Sequence, residues 1–539
     1  LKHENLKQVN FKHVNLKQSR ESLWQSLTHE QWDIVVVGGG VTGAGIFRNA
    51  SKLGYKTLLV EQQDYSWGTS SRSSKMVHGG FRYIAQGDIQ LTKEALHERE
   101  QMLKEVPGLV DRSQFVFPLK KGRFPGRFSL GVLLKVYDLL AGVNDSAYIK
   151  NDELEEKVPG IDIPNMKGAI GYSDAITDDS RLVMRLLQEG KGYGGIALNY
   201  VKVNNFERDS EGSIESLVLV NKKNNEQCKI KSAVVVNATG AWADQLMGTS
   251  LQHKKVRPLR GSHIILKEDK FDLQNAMTLI HPKDGRPIFM FPWFGRIMLG
   301  TTDLDYPENL DHEAVITNEE IDYLLAVVND FFPQSNTNRG DIVSTFCGVR
   351  PVISSGKGID PSKEKRGHSI WKNQNLISVS GGKLTIFRVI ADEVLEKVQK
   401  ISGRKENHRF DTIFDQQNIV EDEKGRLNNL RVEYRTMLLG RYGGQLKNFL
   451  VAFDDEDYQE IENFCFSLAE CKWAIEHEQV EHLDDLLLRR TRLGLLQDSA
   501  TLLNDLSDIL KEWFGWSDTE KANEIIRYQT ILDNYYRLP

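Results

Sequence analysis

Residues 33–61, DIVVVGGGVTGAGIFRNASKLGYKTLLVE, read as a strand, a glycine turn, a helix and a second strand. Ile34 to Val37 form a continuous apolar run, as a strand buried on both faces requires. Gly38, Gly40 and Gly43 follow in G-x-G-x-x-G spacing. In such a turn Gly38 permits the tight bend, Gly40 leaves room for phosphates and Gly43 lets the helix pack on the strand. The positive end of the helix then faces an anion. Ala44, Phe47, Ala50 and Leu53 give that helix an apolar face, Gly54 is placed to end it, and Thr57 to Val60 supply the next buried strand. Glu61 closes the unit with a carboxylate that can accept hydrogen bonds from the ribose hydroxyls of an adenosine and would repel a 2′-phosphate. A glycine triplet alone is weak evidence for a dinucleotide, because structural glycine turns are common. Here the strand before, the helix after and the terminal acid are all present. This unit by itself does not separate NAD from FAD.

The 539 residues exceed one ordinary core and point to roughly two to four domains. A hydrophobic content of 40% and a charged content of 27% are those of a soluble globular chain. The apolar runs fall short of a membrane span of ~20 residues. A formal charge of −6 is small for this length and argues against nucleic acid as the main partner. Cys228, Cys347, Cys465 and Cys471 lack C-x-x-C spacing and the density of a disulfide scaffold, so they read as buried free thiols, and no metal site is expected. No charged-then-apolar signal segment opens the sequence, which makes a cytoplasmic location the expectation. LKHENLKQVN and FKHVNLKQSR form an imperfect, polar and basic ten-residue duplication. It reads as a disordered or loosely helical extension over residues 1–31, with a basic membrane-surface contact as the alternative.

Residues 68–83, GTSSRSSKMVHGGFRY, have no apolar period and are dense in hydroxyls, cations and glycines. Gly79 and Gly80, between His78 and Arg82, suggest close approach to a ligand. Residues 88–106 read as a charged amphipathic helix. The basic turn GRFPGRF then leads into LGVLLKVYDLLAG, a packed helix or, given Lys121, Arg123, Arg127 and Lys135, an interfacial one. Asp178, Asp179 or Ser180 can cap a helix carrying Leu182, Val183, Leu186 and Leu187, and VKVNNFERD with SIESLVLVNKK predicts a hairpin or meander. KSAVVVNATGAWAD places a buried strand before Ala238, Thr239 and Gly240. Residues 256–350 carry strand signals of an antiparallel or mixed sheet. LISVSGGKLTIFRVIADEV then returns to strand, glycine pair and helix, giving a second helix N-terminus at Gly381 to Thr385 with Lys383 inside the loop. Past about Gly403 the glycine motifs stop and helical patterns take over.

The GGGVTGAG turn, GTSSRSSK-x-x-HGG-x-RY, ATG, TFCGVRP and SGGKLT together closely resemble, in order from Asp33 to Arg388, the FAD-dependent glycerol-3-phosphate dehydrogenases and their related oxidases. The expected fold is α/β: an FAD-binding, Rossmann-like dinucleotide fold with a mixed or antiparallel substrate-domain sheet and a helical C-terminal domain. The oxidoreductase region is placed at 32–403, its FAD-binding fold discontinuous over about 32–110, 170–245 and 345–403, and the helical domain at 404–539. Three separated glycine elements brought to one sheet favour FAD over NAD. Expected cofactor contacts are Gly38, Gly40, Gly43, Glu61, Thr69, Ser70, Ser71, Gly79, Gly80, Ala238, Thr239, Gly240, Gly381, Gly382, Leu384 and Thr385. The segment LLLRRTRLG also resembles its counterpart in that family, and Arg489, Arg490 and Arg492 are expected to be structural.

The resemblance also places His78, Arg82, Tyr83, Arg350 and Lys383 around the substrate, with Arg366 a further candidate from KEKRGHS. Cations that would be costly alone are satisfied together by a phosphate dianion, which suits the arginine fork. His78 is the candidate base for a hydroxyl proton, the alternative being that it only hydrogen-bonds flavin or substrate. The implied reaction is oxidation of sn-glycerol 3-phosphate to dihydroxyacetone phosphate by hydride transfer from C2 to flavin N5. Electrons are expected to pass to membrane quinone, with oxygen the other acceptor. A peripheral contact with the inner face of the cytoplasmic membrane and a homodimer are the further expectations. Rival readings are a flavin oxidase of the same fold acting on an amino or 2-hydroxy acid, and a nucleotide-binding protein without turnover.

Overall fold

The apolar run at the start of the dinucleotide unit is the strand Gln31–Val37, in the interior of a sheet. The computed structural model describes residues 16–85, 87–247, 255–354, 364, 367–404, 409–415, 425–461, 464–497 and 499–539. Thr57–Val60 flanks this strand on one side and Gln227–Asn237 on the other, both parallel to it. Ile196–Leu198 and Leu376–Gly381 extend the two sides in parallel, and His368–Asn373 closes one edge antiparallel. Ile34, Val35, Val36, Leu58, Leu59 and Val60 are completely buried, as strands of a parallel sheet covered on both faces must be.

Helices Val41–Lys52, Asp179–Gly192 and Phe387–Ser402 cover one face through Ile46, Phe47, Leu182, Leu186, Ile390 and Val394. Asp178 caps the second of them, its side chain accepting from the Ser180 and Arg181 N–H groups. The predicted meander, Val201–Arg208 with Ile214–Asn221, is antiparallel and continues into the first half of Gln227–Asn237. It covers the opposite face together with Trp24 and Leu27. Residues 16–26 thus differ from a loose extension. Leu16–Ser26 is a helix, its Trp24 is buried, and Arg20 donates to the Asn199 side chain at 2.8 Å. Trp24, and Leu27 in the 3₁₀ turn that follows, anchor this helix by apolar burial. Residues 1–15, most of the duplication, lie outside the described residues.

The second sheet is mostly antiparallel and mixed, as the strand signals predict. Val110–Lys120, Met166–Thr177, Val256–Leu266, Pro287–Trp293, Arg296–Gly300 and Ile342–Ile353 belong to it, and Ala276–Ile280 runs parallel to the first of these. C-terminal helices pack directly beneath it, where Leu486, Leu493 and Leu506 share a core with Phe291, Trp293 and Phe346. Helix Arg127–Ala141 buries Leu130, Leu134 and Tyr137 and turns Phe128, Val132 and Leu139 outward at 85, 52 and 79% exposure. Phe124, just before it, is 81% exposed. Among the described residues no helix is long and apolar enough to cross a membrane.

Strand, turn and first helix meet backbone against backbone. A Cβ on Gly43 would lie 1.9 Å from the Gly38 carbonyl oxygen, and one on Gly38, whose φ is +114°, would lie 2.6 Å from that of Ala238. Gly43→Ala should therefore push the helix off the strand and cost about 1 to 3 kcal/mol, read as a lower urea midpoint. Gly192→Ala, with nothing within 4 Å of the added methyl, should change stability by less than about 0.5 kcal/mol. Equal midpoints for the two variants would contradict the close approach.

Candidate active site

The first helix begins without a side-chain cap of its own, because Gly40 occupies the capping position. Ser70 supplies a substitute: its Oγ accepts from the Val41 N–H at 2.9 Å. Glu61 turns back on the glycine turn, accepting from Gly39 N at 2.7 Å and Gln63 N at 2.9 Å. Burial raises its pKa, and these two N–H groups oppose the rise. Each carboxylate oxygen retains a second acceptor position.

A cavity of about 380 Å³ opens where the parallel strands end, the position at which α/β sheets bind nucleotides. Gly38, Gly40, Glu61, Thr69 and Ser70 form one wall, Ala238, Thr239 and Gly240 the next, and Gly381, Gly382, Lys383 and Leu384 the third. The fit to FAD follows from the cradle. A Cβ on Gly40 would come within 3.0 Å of Ser70 Oγ, so the bare turn leaves room for a pyrophosphate beside the helix start, and Glu61 lines the same cavity.

Gly43, Ser71, Gly79, Gly80 and Thr385, also expected to touch the cofactor, are not among the cavity-lining residues. Thr385 joins two motifs instead. Its Oγ1 donates to the His78 carbonyl at 3.2 Å and accepts from the His78 N–H at 3.1 Å. Gly79 N donates to the Tyr137 hydroxyl at 2.9 Å, and that hydroxyl donates to Asp174, which Arg99 holds at 2.7 Å. The helix N-terminus expected at Gly381 to Thr385 falls at Leu384, with Lys383 in the cap position. Gly381 and Gly382 have φ of +83° and +81°, a left-handed pair that cannot start a right-handed helix. A single 3₁₀ turn, Leu384–Ile386, follows, and the α-helix begins at Phe387.

His78, Gly79, Tyr83, Lys383 and Thr385 come together. Lys383 Nζ lies 3.7 Å from the centre of the Tyr83 ring and donates to the Gly79 carbonyl at 3.2 Å. Phe289 packs against the His78 ring, centres 6.5 Å apart. Arg350 stands in a second group. It lies on Ile342–Ile353 between Val349, whose carbonyl accepts from Thr69 Oγ1 at 2.5 Å, and Pro351, which lines the cavity. Strand alternation turns its side chain to the other side of the strand from Pro351. The guanidinium packs against Gly261 and donates to Thr301 Oγ1 at 3.0 Å, and to the Thr302 carbonyl and Asp303 Oδ1 at 3.3 Å each. The sequence reading treats Arg350 as a cation awaiting a phosphate, but Asp303 already partners it. The side chain of Arg82, and Arg366 entirely, lie outside the described residues.

Sequence reasoning missed His263. It is 1% exposed, stacks on Phe346 with centres 4.6 Å apart, and hydrogen-bonds through Nε2 to Ser74 Oγ at 2.9 Å. Its Nδ1 has no hydrogen-bond partner among the described residues. Burial, with Arg350 and Lys75 adding to it, pushes its pKa well below the usual value, so the imidazole is neutral. The available signal was a histidine inside the apolar strand SHIILK, two residues from the Gly261 that accommodates Arg350.

Residues 33–394 match the family described as FAD dependent oxidoreductase, and residues 391–521 match the C-terminal domain of alpha-glycerophosphate oxidase. An aerobic glycerol-3-phosphate dehydrogenase of Staphylococcus aureus (strain bovine RF122 / ET3-1) is 32% identical over 530 residues, covering 93% of this chain and 94% of the relative. The glycerol-3-phosphate dehydrogenase from Bacillus halodurans, solved in complex with FAD, superposes with a TM-score of 0.77 at 26% identity, covering 96% of this chain and 97% of the other. The L-alpha-glycerophosphate oxidase of Mycoplasma pneumoniae shares the fold, with a TM-score of 0.56 at 17% identity over 72% of this chain and 99% of its own. With the cavity walls drawn from the same three glycine motifs that prompted the resemblance, the chain belongs to the FAD dependent oxidoreductase family, among the FAD-dependent glycerol-3-phosphate dehydrogenases.

Proposed function

We propose that the protein oxidises sn-glycerol 3-phosphate to dihydroxyacetone phosphate with FAD as hydride acceptor, and that its electrons leave to a membrane quinone. The observation that carries the reading is Lys383, which lines the glycine-walled cavity and also reaches the Gly79 carbonyl and the Tyr83 ring. One residue thus joins a dinucleotide site to groups suited to a phosphorylated alcohol. The relatives named as glycerol-3-phosphate dehydrogenases support the same substrate.

Bound FAD supplies the two-electron acceptor, N5 of its ring. The chain's own part is to hold the substrate and move a proton. Lys383 and Arg350 take the phosphate dianion, and Asp303 fixes the direction of the Arg350 fork. His78, whose backbone is tied to the GGK turn through Thr385, takes the C2 hydroxyl proton as hydride leaves the same carbon. His263 is the second candidate for that proton because its imidazole is neutral and close to Arg350. Anaerobic glycerol 3-phosphate should bleach the yellow holoenzyme within a turnover. No bleaching, with rapid reduction by an amino acid or a 2-hydroxy acid, would overturn the assignment.

The route to quinone rests on Phe124 and the outer face of Arg127–Ala141. Exposed Phe124, Phe128, Val132 and Leu139 form an apolar surface beside Lys121, Arg127 and Lys135, as peripheral binding to an anionic membrane requires. Arg123 takes no part in it, being paired with Asp330. A cytoplasmic enzyme resting on the inner membrane face agrees with this surface. Phe128→Glu with Leu139→Glu should abolish flotation with anionic vesicles and slow reduction of a quinone analogue, while a soluble dye is reduced at the parental rate. Unchanged flotation would remove the helix from the argument. Stoichiometric peroxide at comparable turnover without lipid would make oxygen the acceptor.

Arg350→Ala should separate phosphate reading from chemistry. Arg350 is 26% exposed, so the loss falls at the lower end for a truncated charge-assisted contact. It should be about 2 to 3 kcal/mol, or roughly 30- to 150-fold in kcat/KM. Plain glycerol, which has no phosphate, should lose far less. Equal proportional losses for both substrates, at unchanged flavin content, would mean that Arg350 does not read the phosphate.

A further inference from the structure

The C-terminal segment carries buried charge that no step above uses. Asp485–Arg490 is a π-helical turn with all six residues buried, a form common at functional sites. The turn lets two adjacent arginines reach one carboxylate. Arg489 Nε donates to Asp64 Oδ2 at 2.6 Å, and Arg490 donates to both Asp64 oxygens at 2.8 Å. Burial alone would raise the Asp64 pKa, but the two guanidiniums hold it below its usual value.

Two residues on, Arg492 has a φ of +61°, a state that a non-glycine side chain adopts only when its surroundings enforce it. Its guanidinium donates to Asp178 Oδ1 at 2.8 Å, Asp179 Oδ1 at 2.5 Å, the Ser71 carbonyl at 3.3 Å and the Leu488 carbonyl at 2.8 Å. From the other side, Lys75, also left-handed at φ +55°, donates to both Asp179 oxygens at 2.8 and 2.9 Å and to the same Ser71 carbonyl at 2.5 Å. Ser73 adds its N–H at 3.0 Å and its hydroxyl at 2.7 Å to Asp179 Oδ2. Lys75, Asp179 and Arg492 are completely buried and Ser71 nearly so.

One carboxylate and one carbonyl are thus each shared between a cation of the 69–75 loop and a cation of the C-terminal segment. The same loop serves the site with its other side: Thr69 and Ser70 line the cavity, Ser70 caps the first helix, and Ser74 meets His263. Beyond the single 3₁₀ turn Thr69–Ser71 the loop has no regular structure to fix its course. Buried ion clusters add little net stability over apolar packing of the same volume; what they define is geometry.

We propose that Arg492, acting through Asp179 and Ser71, is a positioning residue for the 69–75 loop, so that the C-terminal segment takes part in retaining the flavin. The proposal rests on FAD as the cofactor. Its test follows FAD release, by the fluorescence of the freed flavin, from diluted holoenzyme of the parent, Arg492→Met and Arg492→Lys, each well below its own unfolding transition. Arg492→Met should release FAD about tenfold faster or more, which corresponds to about 1.4 kcal/mol. Arg492→Lys keeps the charge but cannot fork to Asp178, Asp179 and Ser71 together, and should fall between that variant and the parent. If Arg492→Met does not fold, Arg492→Lys decides. Phe449→Leu, in a separate buried C-terminal cluster, should lower the unfolding temperature and leave release at the parental rate. Parental release from the folded Arg492 variants would overturn the proposal, as would an equal acceleration by Phe449→Leu. A parent that purifies without flavin would instead overturn the FAD reading, and the proposal with it.

Discussion

The approach of Gly43 to the Gly38 carbonyl is the constraint on which the rest of the molecule depends. With no side chain between them, helix Val41–Lys52 rests on the turn that starts it, and Gly38 in turn rests on Ala238. The first strand turn, its helix and the distant Ala238 turn are thereby held at backbone distance. The strand ends become the walls of one cavity, and the first helix turns its positive end toward it. A methyl group at either glycine would separate these elements before any cofactor contact was considered.

Charge is distributed around that cavity on a consistent pattern: cations near the site are held by carboxylates or carbonyls before a substrate arrives. Arg350 has Asp303, Lys383 has the Gly79 carbonyl, and Lys75 with Arg492 share Asp179 and Ser71. Side chains so restrained lose little freedom when an anion binds, which places binding energy in orientation. The cost falls on desolvation, which buried partners offset only if every donor and acceptor is well placed. That requirement explains why Asp178 with Asp179, and Arg489, Arg490 and Arg492, converge with Asp64 and Lys75 at the loop after Thr57–Val60.

Much of this was legible in the sequence. The apolar runs and the glycine spacing fix strand, turn, helix and strand, so the elements from Ile34 to Val60 read from spacing alone. The ATG and GGK turns were legible because glycine at a strand end marks backbone approach, and a cap among Asp178, Asp179 and Ser180 was legible because such side chains can satisfy the N–H groups of a helix start; the structure gives the position to Asp178. The mixed second sheet followed from alternation. What reads from sequence is local: a residue and its near neighbours decide the conformation.

Only the tertiary structure decided which distant groups meet. Nothing near Arg350 in sequence announces Asp303, and nothing near Ser74 announces His263, because those partners come from distant segments that only the folded chain brings side by side. The left-handed glycine pair that holds off helical structure until Leu384, and the α-helix proper until Phe387, is likewise invisible to a helical pattern, which records side-chain period and not φ. The three arginines of LLLRRTRLG were readable only as structural. That Arg489 and Arg490 meet Asp64, and that Arg492 meets Asp179 beside Lys75, came from a π-helical turn and long-range packing, so spacing specified the glycine turn, while contacts between distant segments decided what packs on the loop beside it.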